Sequence, residues 1–122
     1  SDFGDQTQGF GHHAQGIASN AVRGVLVSSY YAPAKVNTVE YVTIATLGDS
    51  VDFGDLTQVR IMSGAAASPT RLVVSNGRTD GPGYVNTIDY AQIMTTGNFV
   101  DFGDSTVGSD MRPGASNGHG GL

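Results

Sequence analysis

The chain has 122 residues, enough for one domain and too few for two comfortable ones. Its 6 basic and 11 acidic residues leave a net charge of −5, with no Lys/Arg cluster to neutralise phosphates, so nucleic-acid binding is not expected. Cysteine is absent, which excludes disulfides and thiolate metal sites. No apolar run reaches transmembrane length, and a polar, acidic opening does not read as a signal peptide.

Asp2-Phe3-Gly4-Asp5 opens the chain and returns as Asp52-Phe53-Gly54-Asp55 and Asp101-Phe102-Gly103-Asp104, at intervals of 50 and then 49 residues. Three copies at nearly constant spacing define an internal repeat. Repeat 1 spans 2–51, repeat 2 spans 52–100, and a partial repeat 3 spans 101–122, within one continuous domain. A Thr follows each motif at Thr7, Thr57 and Thr106. Small-residue patches come next, at Ala18-Ser19-Asn20, Ala67-Ser68-Pro69 and Ala115-Ser116-Asn117.

Val25-Leu26-Val27 and Leu72-Val73-Val74 are short apolar runs, which suit strands buried on both faces. Val36–Ile44 aligns with Val85–Ile93, and its alternation predicts a strand with two different faces. Gly48-Asp49 and Gly97-Asn98 are turn dipeptides, brought into line by a one-residue adjustment. Strands are therefore predicted near 22–27, 37–45, 71–75 and 86–94, with four strands per unit and negligible helix. A sheet of this size cannot bury both faces alone, so the units are expected to pack on one another.

The order of elements resembles kelch-like β-propeller blades: a small-residue strand, an apolar strand, a turn, then Asn-Thr-(Val/Ile)-(Glu/Asp)-Tyr. A closer likeness rests on Val22-Arg23-Gly24-Val25, Asn86-Thr87-Ile88-Asp89-Tyr90, Thr95-Thr96-Gly97-Asn98 and Asp52-Phe53-Gly54-Asp55-Leu56-Thr57. These segments are similar to divergent repeats in predicted virion proteins of tailed bacteriophages. The resemblance implies all-β propeller blades, about 2.5 repeats completed by oligomerisation or by a longer chain, and a virion or extracellular setting. A closed propeller has four to eight blades, so the chain is not expected to close a ring alone. A multimer is predicted, with Phe3 and Leu122 near subunit boundaries.

Phe3, Phe53 and Phe102 are expected to be equivalent packing residues, with Gly permitting a bend and the Asp side chains bonding turn amides. The competing reading of these carboxylates is a calcium site, which calls for more closely spaced oxygens. His12, His13 and His119 sit in Gly-rich segments, and two histidines with an Asp make a thin transition-metal site. Arg23 and Arg71 are expected to pair with Glu40 and Asp89 as a repeated lock. Tyr41 and Tyr90 belong to the same structural repeat. Tyr30, Tyr31 and Tyr84 are the candidate ligand contacts.

No spacing ties Ser, His and Asp together, and the glycines do not form a phosphate loop. No enzyme activity, cofactor, metal or membrane insertion is expected. The leading expectation is a structural or adhesive component of a tail, fibre or appendage. Its partners would be further copies, other virion proteins or a cell-surface glycan. The alternative is a lectin-like carbohydrate-binding module.

Overall fold

The computed structural model describes residues 1–7, 16–27, 30–31, 34–79, 83–109 and 115. Ten strands are formed by these residues, and no helix occurs among them. The first sheet contains β1 (Ile17–Ser19), β2 (Arg23–Leu26), β5 (Thr38–Thr43) and β6 (Val51–Asp55), hydrogen-bonded in that order. The second contains β7 (Gly64–Ala67), β8 (Arg71–Ser75), β9 (Thr87–Gln92) and β10 (Val100–Asp104), again in chain order. All pairings are antiparallel, and the short hairpin β3 (Tyr30–Tyr31) with β4 (Ala34–Lys35) lies between β2 and β5. Each four-stranded sheet takes its last strand from the Asp-Phe-Gly-Asp motif that heads the following unit.

Side-chain polarity on turn residues explains where the first hairpins reverse. Asn20 Oδ1 accepts from the amides of Val22 and Arg23, at 2.9 and 2.7 Å. Ser68 Oγ accepts from Thr70 and Arg71 at 3.3 and 3.0 Å. These bonds equate Asn20 with Ser68, one residue away from the match that the small-residue patches suggested. Further along, Gly48 and Gly97 occupy equivalent turns, so Thr46 corresponds to Thr95 and no one-residue adjustment is needed.

The two sheets share one core. Val25, Val39 and Phe53 face it from the first sheet, and Ala65, Leu72, Val74 and Ala91 face it from the second. Ile93 and Phe99 complete it from the ends of the second sheet's turn. The period-2 alternation places Gly24, Leu26, Val42 and Ile44 on the opposite side of the first sheet. It likewise places Arg71, Val73, Ile88 and Tyr90 on the opposite side of the second. Asn76 lies in the left-handed region at φ 60° and is buried. Its side-chain amide donates to Ser105 Oγ and to the Val107 carbonyl at 2.9 and 3.0 Å, pinning the chain beyond β10.

Candidate functional site

In its second and third copies the Asp-Phe-Gly-Asp motif is a bulged strand, β6 and β10. In β6, Val39 pairs with Gly54 and Glu40 with Asp52, so Phe53 is the extra residue. In β10, Ile88 pairs with Gly103 and Asp89 with Asp101, which makes Phe102 the extra residue. A bulge of this kind re-aims one side chain and needs a permissive neighbour. Glycine supplies it: φ is +150° at Gly54, +149° at Gly103 and +151° at Gly4. The first carboxylate braces the bend, since Asp2 Oδ1 and Asp101 Oδ1 accept from the amides of Gly4 and Gly103, at 3.2 and 3.1 Å.

Each of the first two motifs is seated on the turn that ends the next sheet's third strand. The Gly48 and Ser50 amides donate to the carbonyls of Phe3 and Asp5, both at 2.8 Å. Asp49 Oδ1 accepts from the Asp5 amide at 2.9 Å. The second motif repeats the pattern: Gly97 and Phe99 donate to the carbonyls of Phe53 and Asp55 at 2.8 and 2.9 Å. Asn98 Oδ1 accepts from the Asp55 amide at 3.1 Å. A Cβ at Gly4 or Gly54 would run into the Gly48 or Gly97 carbonyl oxygen, respectively, whereas one at Gly103 would meet nothing within 4 Å.

The Thr that follows each of the first two motifs completes the seat through a buried carboxylate. Thr57 donates to Asp89 through its amide (3.0 Å) and its hydroxyl (2.7 Å to Oδ2). Thr7 donates to Glu40 in the same two ways, its amide at 3.2 Å, and Ser50 Oγ adds a bond to Glu40 at 2.6 Å. Glu40 and Asp89 are fully buried. They therefore do not pair with Arg23 and Arg71, as the sequence suggested. Strand alternation decides this: Arg23 is registered with Thr43, on the face that Tyr41 shares and Glu40 does not.

Instead the arginines stack on tyrosines. The Arg23 guanidinium lies 4.1 Å from the Tyr41 ring centre, and Arg71 lies 4.9 Å from that of Tyr90. Tyr41 meets Phe53 edge-on at 6.1 Å, and Tyr90 meets Phe102 edge-on at 5.9 Å. The same Arg-Tyr-Phe trio is thus built twice. The first is covered by the second sheet, where Arg23 donates to the Ile93 carbonyl at 3.1 Å and Phe53 packs 5.8 Å from Phe99. The second lies on the outer side of the second sheet.

The three phenylalanines therefore differ in burial, contrary to the expectation of equivalence. Phe53 is 2% exposed, Phe3 38% and Phe102 57%. Ser50 holds the place in the first seat that the larger Phe99 holds in the second, and Phe102 has no third sheet over it among the described residues. Gly54→Ala is expected to cost roughly 1–3 kcal/mol more than Gly103→Ala, because only the former adds a backbone collision to the same φ strain. Chemical denaturation of the two variants checks this, and equal losses would count against the seat.

Tyr84 is exposed and lies under the Arg78 guanidinium at 5.5 Å. Tyr30 and Tyr31 pair with Lys35 and Ala34 in the β3–β4 hairpin, away from Tyr84 in sequence and in pairing. His12, His13, His119 and Leu122 lie outside the described residues. Among the described residues no group of three or more His, Asp or Glu could hold a metal ion. Two shallow clefts occupy equivalent places: one of about 340 Å³ beside Tyr90, Thr95 and Asn98, and one of about 210 Å³ beside Tyr41, Thr46 and Asp49. The seating role of Glu40, Ser50, Asp49 and Asn98 was missed in the sequence. The signal was present, because Thr7 with Glu40 and Thr57 with Asp89 recur at matching positions. No protein-family model matches this sequence, and no curated protein matches it.

Proposed function

We propose that the chain is a non-enzymatic assembly module of blade-like repeats, a structural or adhesive component acting through protein–protein contacts. One observation carries the reading: the seating of a motif on a turn is made twice within the chain and offered a third time by Asp101–Thr106. Phe102, Val100 and Val107 stand exposed there. Ala115 of the third unit lines a cavity with Ala66, Arg71 and Val73, as continued stacking requires. The likeness to propeller-type repeats of bacteriophage virion proteins supports a tail, fibre or appendage setting.

Sedimentation velocity tests the assembly role. Concentration-dependent association is expected, and a well-folded monomer persisting through the micromolar range would overturn it. The two equivalent clefts favour a second reading, a lectin-like module with one sugar site per unit. Glycan-array binding that is lost on replacing both Asp49 and Asn98 would establish that alternative.

A further inference from the structure

We propose that the turn at Gly48–Ser50, together with Glu40, is a receptor cradle for Asp-Phe-Gly-Asp-x-Thr segments, and that it exchanges its own Asp2–Thr7 for Asp101–Thr106 of a second copy. The inference deepens the assembly reading and rests on it.

Three facts set the two segments in competition. The first and third motifs carry the same Asp-Phe-Gly-Asp-x-Thr residues, so both offer the groups that the cradle binds. The first motif is extended but belongs to no strand; its described bonds run to Gly48, Asp49, Ser50, Glu40 and within itself. The third motif is hydrogen-bonded into β10, an edge strand paired with β9 alone among the described residues. The pre-ordered segment loses less conformational freedom on docking than a loose one.

The second motif shows that the required geometry exists. It is the edge strand of the first sheet and at the same time is seated on the Gly97–Phe99 turn of the second. Pairing in a sheet and docking on a turn are therefore compatible for one segment. On the third motif the docking groups stand open: Gly103 has nothing within 4 Å of a notional Cβ, and Thr106 is exposed. Ala115 approaches the far, β7–β8, end of that face, leaving the β9–β10 end free among the described residues.

Apolar surface also matches. Phe102, at 57% exposure, lies within the third motif, and Val100 precedes it. Ile44 and Leu47 stand exposed beside the cradle, at 46% and 70%. Docking would cover Phe102 and Ile44, whose counterparts in the internal seat, Phe53 and Ile93, are buried, while Val100 and Leu47 correspond to Val51 and Thr96, which stay exposed there.

Charge supplies the test. Thr106→Glu places a carboxylate where the second copy's buried Glu40 awaits a hydroxyl, and Thr106 has no bond of its own to lose in the described structure. Self-association measured by sedimentation should weaken by more than about tenfold. Thr7→Glu sets the same repulsion against the resident segment, empties the cradle and should strengthen association. The full-length Thr7→Glu protein should also bind a labelled peptide of residues 100–107 more tightly than the parent does, with circular dichroism confirming that both variants remain folded. Association unchanged by Thr106→Glu would overturn the exchange while leaving the assembly reading intact. Weakened association in Thr7→Glu would overturn it as well. A parent chain that never associates, yet whose Thr7→Glu form binds the peptide, would uphold the cradle and remove the assembly reading.

Discussion

Phe53→Ala is expected to destabilise the chain by about 3–5 kcal/mol, and Phe102→Ala by less than about 1 kcal/mol. The two residues occupy the same place in two copies of one motif, so local sequence cannot separate them. Their surroundings do. Phe53 is enclosed by Tyr41 on its own sheet and by Phe99 from the other, and its removal leaves a cavity between two sheets that cannot simply collapse. Among the described residues Phe102 has one ring partner, the edge contact with Tyr90, and more than half of it already meets solvent. Urea unfolding at low protein concentration, where association does not intervene, measures both. Similar losses for the two variants would mean that the Phe102 face is covered in solution.

Most of the strand positions could be read directly. Arg23–Leu26, Thr38–Thr43, Arg71–Ser75 and Thr87–Gln92 all fall inside the predicted segments, because apolar runs and period-2 alternation survive in short strands. What could not be read was which sheet a motif strand would join. The Asp-Phe-Gly-Asp residues look like a turn because Gly is a turn residue. In the structure the glycine serves a bulge instead, and the turn that leads into each motif strand belongs to Gly48 or Gly97. The repeat boundary, chosen at the most visible residues, consequently cuts through each sheet between its third and fourth strands.

The candidate site was legible in its members and misread in its pairings. Arg23, Tyr41 and Phe53 were singled out as repeated, and they do meet. Glu40 was assigned to Arg23 by charge, whereas strand alternation sends the two to opposite faces. Opposite charge is a poor guide where a carboxylate can be satisfied by amides and hydroxyls, as Glu40 is by Thr7 and Ser50. Arg60 escaped notice altogether. It has no counterpart among the arginines of the first unit, so the repeat does not single it out.

Asp89→Ala should cost about 3–5 kcal/mol, mainly by leaving the Arg60 guanidinium buried without its counter-charge. Both side chains are fully enclosed, with Arg60 Nη2 donating to Asp89 Oδ2 at 3.1 Å. Arg60 also donates to the carbonyls of Thr87 and Val74, at 3.0 and 3.3 Å, which ties the start of the second unit to β9 and β8. Desolvation pulls the Arg60 pKa below its ordinary value, and Asp89 pulls it back only in part. The cation is the group that Asp89→Ala leaves unbalanced, so the loss should shrink when the cation goes too. The double variant Arg60→Met with Asp89→Ala is expected to lose clearly less than the sum of the singles. Because the pair is shielded from solvent ions, the Asp89→Ala loss should change little between low and high salt. A double-mutant cycle by chemical denaturation measures all of this; strict additivity would show that the Asp89 loss comes from Thr57, whose two bonds to Asp89 seat the second motif, and not from Arg60.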